Sequence, residues 1–272
     1  MNETAEQSFI EQARASIGWD DQLALAYDYA STHGNVDKKR PSSIAVANRV
    51  LGLGMDRDTV IATLLSDPGL RDQLDDARIQ SEFGKTIAQL TRDVNRLNTL
   101  KDGKQARLDS PEQAEKLRRL LLAIISDVRV MLVKLCYRVE RLPLLKHDEY
   151  EQRRWIAQET LDIFAPLANR LGMGLLKWEL EDLAFRALEP QAYKRIAGLL
   201  EEKRSEREAF IQGFIKQLQS LLAEQDVQGS VQGRVKHIVS IWRKMQRKNL
   251  EFHELFDVRA VRILVDSIAD CY

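Results

Sequence analysis

The stretch Gly229-Ser230-Val231-Gln232-Gly233-Arg234-Val235-Lys236-His237-Ile238-Val239-Ser240-Ile241-Trp242-Arg243-Lys244-Met245-Gln246-Arg247-Lys248 decides the fold class. Its first eight residues alternate with period two, and the remainder has the apolar spacing of a helix. The alternation returns at Val258–Val265 (VRAVRILV) and is absent upstream. The pattern predicts a strand at 229–236, a helix at about 237–248 and a second strand at 258–265. Everything before reads as helix, so the chain is mainly α and turns α/β near its C-terminal end.

The same stretch carries a local charge excess. Residues 233–248 hold Arg234, Lys236, Arg243, Lys244, Arg247 and Lys248 and no acid, in a chain whose net formal charge is zero. Lys236, Ser240, Arg243, Lys244 and Arg247 fall at i, i+4, i+7, i+8 and i+11, which is one helix face. Ile238, Ile241, Trp242 and Met245 take the other side, where they can pack on a sheet. A helix start whose N–H groups add to a basic face suits phosphates. The face also fits a solvated surface or an RNA-facing helix, although Trp242 falls on the apolar side and reads as core. Asp257, just before the second strand, suits a magnesium ion between polyphosphate and a basic helix. A cap, or an ion-pair partner for Arg243, is the other reading of that carboxylate.

With 272 residues, 44% hydrophobic and 30% charged, the chain can fill two cores of ordinary size. Zero net charge names no partner, so any anion site must be local. Two cysteines, Cys136 and Cys271, are too few for a disulfide scaffold and fit a reducing compartment. The acidic N-terminus lacks the order of a signal peptide, and no stretch approaches the roughly 18 apolar residues of a membrane span. The expectation is a cytoplasmic protein with no membrane partner.

Upstream, residues 3–16, 19–32, 43–52 and 79–97 read as helices. Asp56 reads as the N-cap of the helix RDTVIATLLS, which Pro68 ends. Residues 98–105 read as a polar loop. Residues 112–142 read as one long core helix with a stripe of Leu120, Ala123, Ile124, Val128, Met131, Leu132 and Leu135, ended by Pro143. Helices at 149–171, 175–187 and 190–225 follow. The expected domains are 1–171, a helical connector at 172–226, and 227–272.

GRVKHIVSIWRKM followed by ELFDVRAVRI resembles the entry to the synthetase domain of the RelA/SpoT alarmone enzymes. FAPLANRLGMGLLKWELEDLAFRALEPQAYKRIAGLL, from Phe164, resembles the connection that precedes that domain in the long enzymes. The resemblance implies transfer of pyrophosphate from ATP to the 3′-hydroxyl of GDP or GTP, making ppGpp or pppGpp. Arg234, Lys236, Ser240 and Lys244 match the family's phosphate- and nucleotide-binding loop and helix, and Asp257 matches its catalytic, Mg²⁺-binding aspartate. Such a transfer works by positioning and charge neutralisation. In the family, a glutamate that activates the 3′-hydroxyl and a tyrosine that stacks on guanine lie further on, as do regions that engage the ribosome. The expectation is that this chain, a truncated synthetase, does not complete the transfer by itself.

The helical region resembles the family's HD hydrolase domain. An active version binds Mn²⁺ through a His before a Pro, a His-Asp pair and a later Asp, with a Glu-Asp pair assisting the attacking water. Here Ser42 stands at the first His, Ser66-Asp67 at the His-Asp pair, Leu70-Arg71 at the Glu-Asp pair and Tyr137 at the last ligand. The residues agree without the family. His33, His147, His237 and His253 show no close pairing, and a catalytic metal commonly takes three or more protein ligands. Asp67 then reads as a helix-end cap or ion-pair residue with no metal partners. The expectation is a pseudo-hydrolase domain without Mn²⁺, the pattern of the synthetase-only RelA branch. A domain that has lost this chemistry can keep a nucleotide pocket, for ppGpp among others, or act as a scaffold.

Overall fold

The computed structural model describes residues 3–35, 37–99, 111–124, 127–202, 204–225, 227–235, 237–255 and 259–271. The chain divides into two compact units, 1–187 and 188–272. No helix among the described residues is long and apolar enough to cross a membrane.

The first unit is helical throughout its described residues. Its helices are α1 (Glu3–Ser16), α2 (Asp21–His33), α3 (Ser43–Gly52), α4 (Arg57–Leu65), α5 (Asp76–Phe83), α6 (Lys85–Thr99), α7 (Pro111–Ile124), α8 (Val128–Arg141), α9 (Tyr150–Glu159), α10 (Ala165–Arg170) and α11 (Gly174–Leu188). Short polar side chains start several of them by accepting an otherwise orphaned N–H. Asp20 accepts from Leu23 at 2.9 Å. Ser42 accepts from Ala45 at 3.2 Å, and Asp56 from Thr59 at 2.9 Å. Burial pushes the Asp56 carboxyl up, but the Thr59 donors and Arg129 outweigh it and hold it below the usual carboxylate range.

The core gathers round α4, which packs on α2, α3, α6 and α8. Every residue from Thr59 to Leu65 is buried, so this helix has no polar face. The Thr63 hydroxyl donates to the Thr59 carbonyl at 2.7 Å and so remains satisfied inside the core. α8 contributes Met131, Leu132, Leu135 and Val139.

Three expected boundaries differ. The helix read at 79–97 is two helices, because Gly84 takes a φ of 89° between α5 and α6. That left-handed backbone suits glycine alone at low cost. The second helix continues to Thr99, so Asn98 and Thr99 of the loop read at 98–105 are helical; the rest of that segment lies outside the described residues. The helix read at 112–142 is α7 and α8. Asp127 starts α8 by accepting the Arg129 N–H at 2.9 Å, an end signal hidden among apolar neighbours. Val128, placed in the core stripe, is 56% exposed at the first position of α8; Met131, Leu132 and Leu135 of that stripe are buried. The side chains of Leu120, Ala123 and Ile124 lie outside the described residues.

Between α9 and α10 the chain makes one wide π turn, Thr160–Phe164. Pro166, just downstream, lacks an N–H and crowds the preceding turn, which the wide turn absorbs.

The second unit holds α12 (Pro190–Glu202), α13 (Arg204–Glu224), β1 (Gly229–Val235), α14 (Ile238–Lys248) and β2 (Arg259–Val265). The strands pair antiparallel from Gly229 opposite Val265 to Val235 opposite Arg259. This two-stranded sheet lies against α13. The apolar side of α14 packs on α12 and the turn after α14, in a cluster of Ile196, Ile241, Met245, Phe252 and Leu255. The sequence pointed that side at a sheet; β1 and β2 instead have α13 for a cover. Trp242 is half-buried against the same cluster, as its place on the apolar side required. Asn249 ends α14 in the left-handed region at φ 50°.

Candidate functional site

Four of the six positions matched to the hydrolase motifs meet at one cavity of about 340 Å³. Ser66, Asp67, Arg71 and Tyr137 all line it. Ser42 instead serves as the cap of α3, and Leu70 turns into the core at 1% exposure.

Asp67 is 2% exposed and is built into the fold. Its Oδ1 accepts the backbone N–H of Asn35 at 2.8 Å and of Gly69 at 2.9 Å. Its Oδ2 accepts the N–H of Ser43 at 3.1 Å. One carboxylate thus ties the end of α2, the start of α3 and the turn after α4 together. The sequence read it as a cap or an ion-pair residue; its three partners among the described residues are all backbone, so it is a cap. Gly69 completes the knot. A Cβ there would lie 2.5 Å from the His33 carbonyl oxygen, so the close approach requires glycine.

This donor set does not fit Mn²⁺. Both Asp67 oxygens already accept N–H groups, and the Ser66 hydroxyl donates to the Thr63 carbonyl at 2.8 Å. Tyr137 offers a phenol whose ring faces the Lys134 ammonium at 5.2 Å. Among the described residues no three His, Cys, Asp or Glu side chains form a metal-ligand group.

The walls carry more cations than acids. Lys39, Arg40, Arg71, Lys134, Arg138 and Arg141 line the cavity, against Asp37, Asp67, Asp148 and Glu159. Arg138 donates to Glu159 at 2.5 Å, and both are more than nine-tenths buried. The wide turn that places Phe164 lets its ring lie 4.3 Å under the same guanidinium. Arg141 Nη2 donates to both Asp148 oxygens at 2.8 and 2.7 Å. Lys134, 6% exposed, donates to Asn98 Oδ1 at 2.8 Å. These residues were missed from sequence, yet the signal was present: Lys134, Arg138 and Arg141 sit at i, i+4 and i+7 of α8, in a helix read as core. Behind them, burial pushes the Cys136 thiol up to about 12, so it stays an inert core thiol.

The second candidate lies in the second unit. α14 presents Ser240 and Lys244 one turn apart, both half-buried, with Arg243 and Arg247 exposed beside them. His237 leads into α14 with no side-chain cap on its first N–H groups. Arg234 sits in β1 opposite Ala260. Lys236 and Asp257 lie outside the described residues. Val235, next to Lys236, and Arg259, two residues after Asp257, pair at one end of the sheet.

Comparison with known proteins accounts for both parts. The HD domain family matches residues 24–174, and the region found in RelA / SpoT proteins matches residues 233–272. The GTP pyrophosphokinase of Escherichia coli strain K12 is 44% identical over 222 residues, covering 81% of this chain and 30% of the relative. That of Haemophilus influenzae is 38% identical over 274 residues, covering 100% of this chain and 36% of the relative. A guanosine-3′,5′-bis(diphosphate) 3′-pyrophosphohydrolase of Haemophilus influenzae is 35% identical over 229 residues, covering 84% of this chain and 33% of the relative. The chain therefore spans about a third of the length of the curated relatives it matches. The knotted cavity of the helical unit and the basic-faced helix of the second unit thus carry the two family regions in order, and the chain belongs to the RelA/SpoT family with an HD domain.

Proposed function

We propose that the parent protein is a (p)ppGpp synthetase of the stringent response, which transfers pyrophosphate from ATP to the 3′-hydroxyl of GDP or GTP, and that its HD domain does not hydrolyse the product. The observation that carries the reading is α14: a helix whose buried side locks onto α12 while its opposite side presents Ser240, Arg243, Lys244 and Arg247, inside the segment matched to RelA / SpoT proteins. In this reading Arg234, Lys236, Ser240 and Lys244 bind and orient the polyphosphates. A Mg²⁺ held by Asp257 would offset the charge of the transferred group. The guanidinium and ammonium groups act as fixed cations already in place when charge develops, which is worth more in a site shielded from water.

Relatives bearing both synthetase and hydrolase names match this chain, so the choice between them rests on the cavity. Asp67 spends its carboxylate on three N–H groups, and Arg71 places a cation where a metal-binding site needs carboxylates. Both support a synthetase-only enzyme. The helical unit then serves as a scaffolding or nucleotide-sensing module, and the ribosome is the partner of regions outside this chain.

The test is radiolabelled transfer from ATP to GDP by the full-length protein. Alanine at both Lys236 and Asp257 is expected to lower the rate by at least about 100-fold. An unchanged rate would overturn these roles. The same assay on the 272-residue chain reads whether it completes the transfer by itself.

A further inference from the structure

We infer that the cavity of the helical unit is a metal-independent site for a pyrophosphate-sized oxyanion. This deepens the sensing reading of that unit and rests on it, but not on the synthetase chemistry of the second unit.

A site that holds a divalent metal needs carboxylates with open oxygens; this one has closed its central carboxylate and turned cations inward. Asp67 accepts three backbone N–H groups, so it has little left to offer a cation. Lys134, Arg138 and Arg141 form a row on α8, each less than a tenth exposed. Arg71, at the position of a family carboxylate pair, lines the same space and is exposed. Buried cations are costly unless matched. Glu159 and Asp148 match two of them in part. Yet among the described residues Arg138 Nε and Arg141 Nη1 are buried without a hydrogen-bond partner, and so is the Ser43 hydroxyl, beside the N–H that holds Asp67. Donors without acceptors around a cationic space call for an acceptor-rich anion. Planar guanidinium groups match phosphate oxygens in pairs. The volume of about 340 Å³ admits a pyrophosphate group, whether free or carried by a nucleotide.

The experiment is calorimetric titration of the 272-residue chain with inorganic pyrophosphate, GDP and guanosine 3′,5′-bis(diphosphate), in EDTA and again in Mn²⁺. It is run in the K244A background, so that α14 does not contribute. Binding is expected in EDTA and is unchanged by Mn²⁺. R71E, at an exposed position, is expected to weaken it about tenfold or more with no change in melting temperature, and K134M to act in the same direction. Pyrophosphate binding as tightly as the nucleotides supports the site with the free anion as ligand. Tighter binding of the bis(diphosphate) supports it with a nucleotide as ligand. No heat with any of the three at millimolar concentration, heat only with Mn²⁺, or affinity indifferent to R71E would each overturn the inference. None of these outcomes alters the transfer assay, which reads Lys236 and Asp257.

Discussion

Asp67 shows how a side chain that resembles the remnant of a catalytic group becomes structural. Three N–H groups from three segments converge on its two oxygens in the protein interior. Hydrogen bonds to a charged acceptor contribute about 1.5–3 kcal/mol each, with losses that do not simply add. D67A is therefore expected to lower the unfolding free energy of the chain by about 3 kcal/mol or more in urea titration. D67N, which keeps one acceptor oxygen, should fall between. A loss below about 1 kcal/mol for D67A would mean that the knot does not hold the three segments. Arg138 and Glu159 make a separate case, because both are buried. Removing one partner leaves a buried charge, at a cost of about 3–5 kcal/mol. R138M should show that loss, and R138M/E159L should recover most of it. A double variant no better than the single would place the value of Arg138 in its stacking on Phe164 instead.

At the scale of elements, the helices were legible where caps and breakers are local. Asp56 and Pro68 bound α4 from sequence alone, because a short acceptor and a missing N–H act within one turn. Gly84 and Asp127 were not seen as boundaries. Each lies within a run whose apolar spacing continues across it, so only the backbone reveals the break. The side on which α14 would find its cover was likewise open, since an apolar stripe fits a helix or a sheet equally. The cavity was half legible. Its degenerate positions could be named, but the α8 cations were read as part of a plain core helix. One link between elements gives a pH test. Glu115 of α7 is held by Arg170 of α10, and by Arg118 and Arg119, which together lower its carboxyl from 4.5 to about 2. A carboxylate lowered on folding stabilises the fold above its unfolded value and loses that contribution as pH falls towards its folded value. The contribution of Glu115 should thus be full above pH 4.5 and fade down to about pH 2. Because solvent still reaches the half-buried Glu115 carboxylate, the effect is small. E115Q should flatten this part of the stability-pH curve, its small loss being full at neutral pH and gone near pH 2. A steeper acid limb in E115Q would contradict the assignment.

The whole molecule joins a helical unit whose cavity carboxylate, Asp67, is bound by its own backbone to a unit that presents cations in the RelA / SpoT segment. The family was readable because its motifs combine residue type with spacing, as in GRVKHIVSIWRKM. The fate of the hydrolase positions needed coordinates, since sequence cannot show that Asp67 has used both of its oxygens. The measurement that reads the central claim most directly follows labelled pyrophosphate in the full-length protein supplied with ATP, GDP, Mg²⁺ and Mn²⁺. The account predicts that label accumulates in guanosine bis(diphosphate) and stays there after ATP is exhausted. Release of that label as free pyrophosphate, with return of GDP, would contradict it.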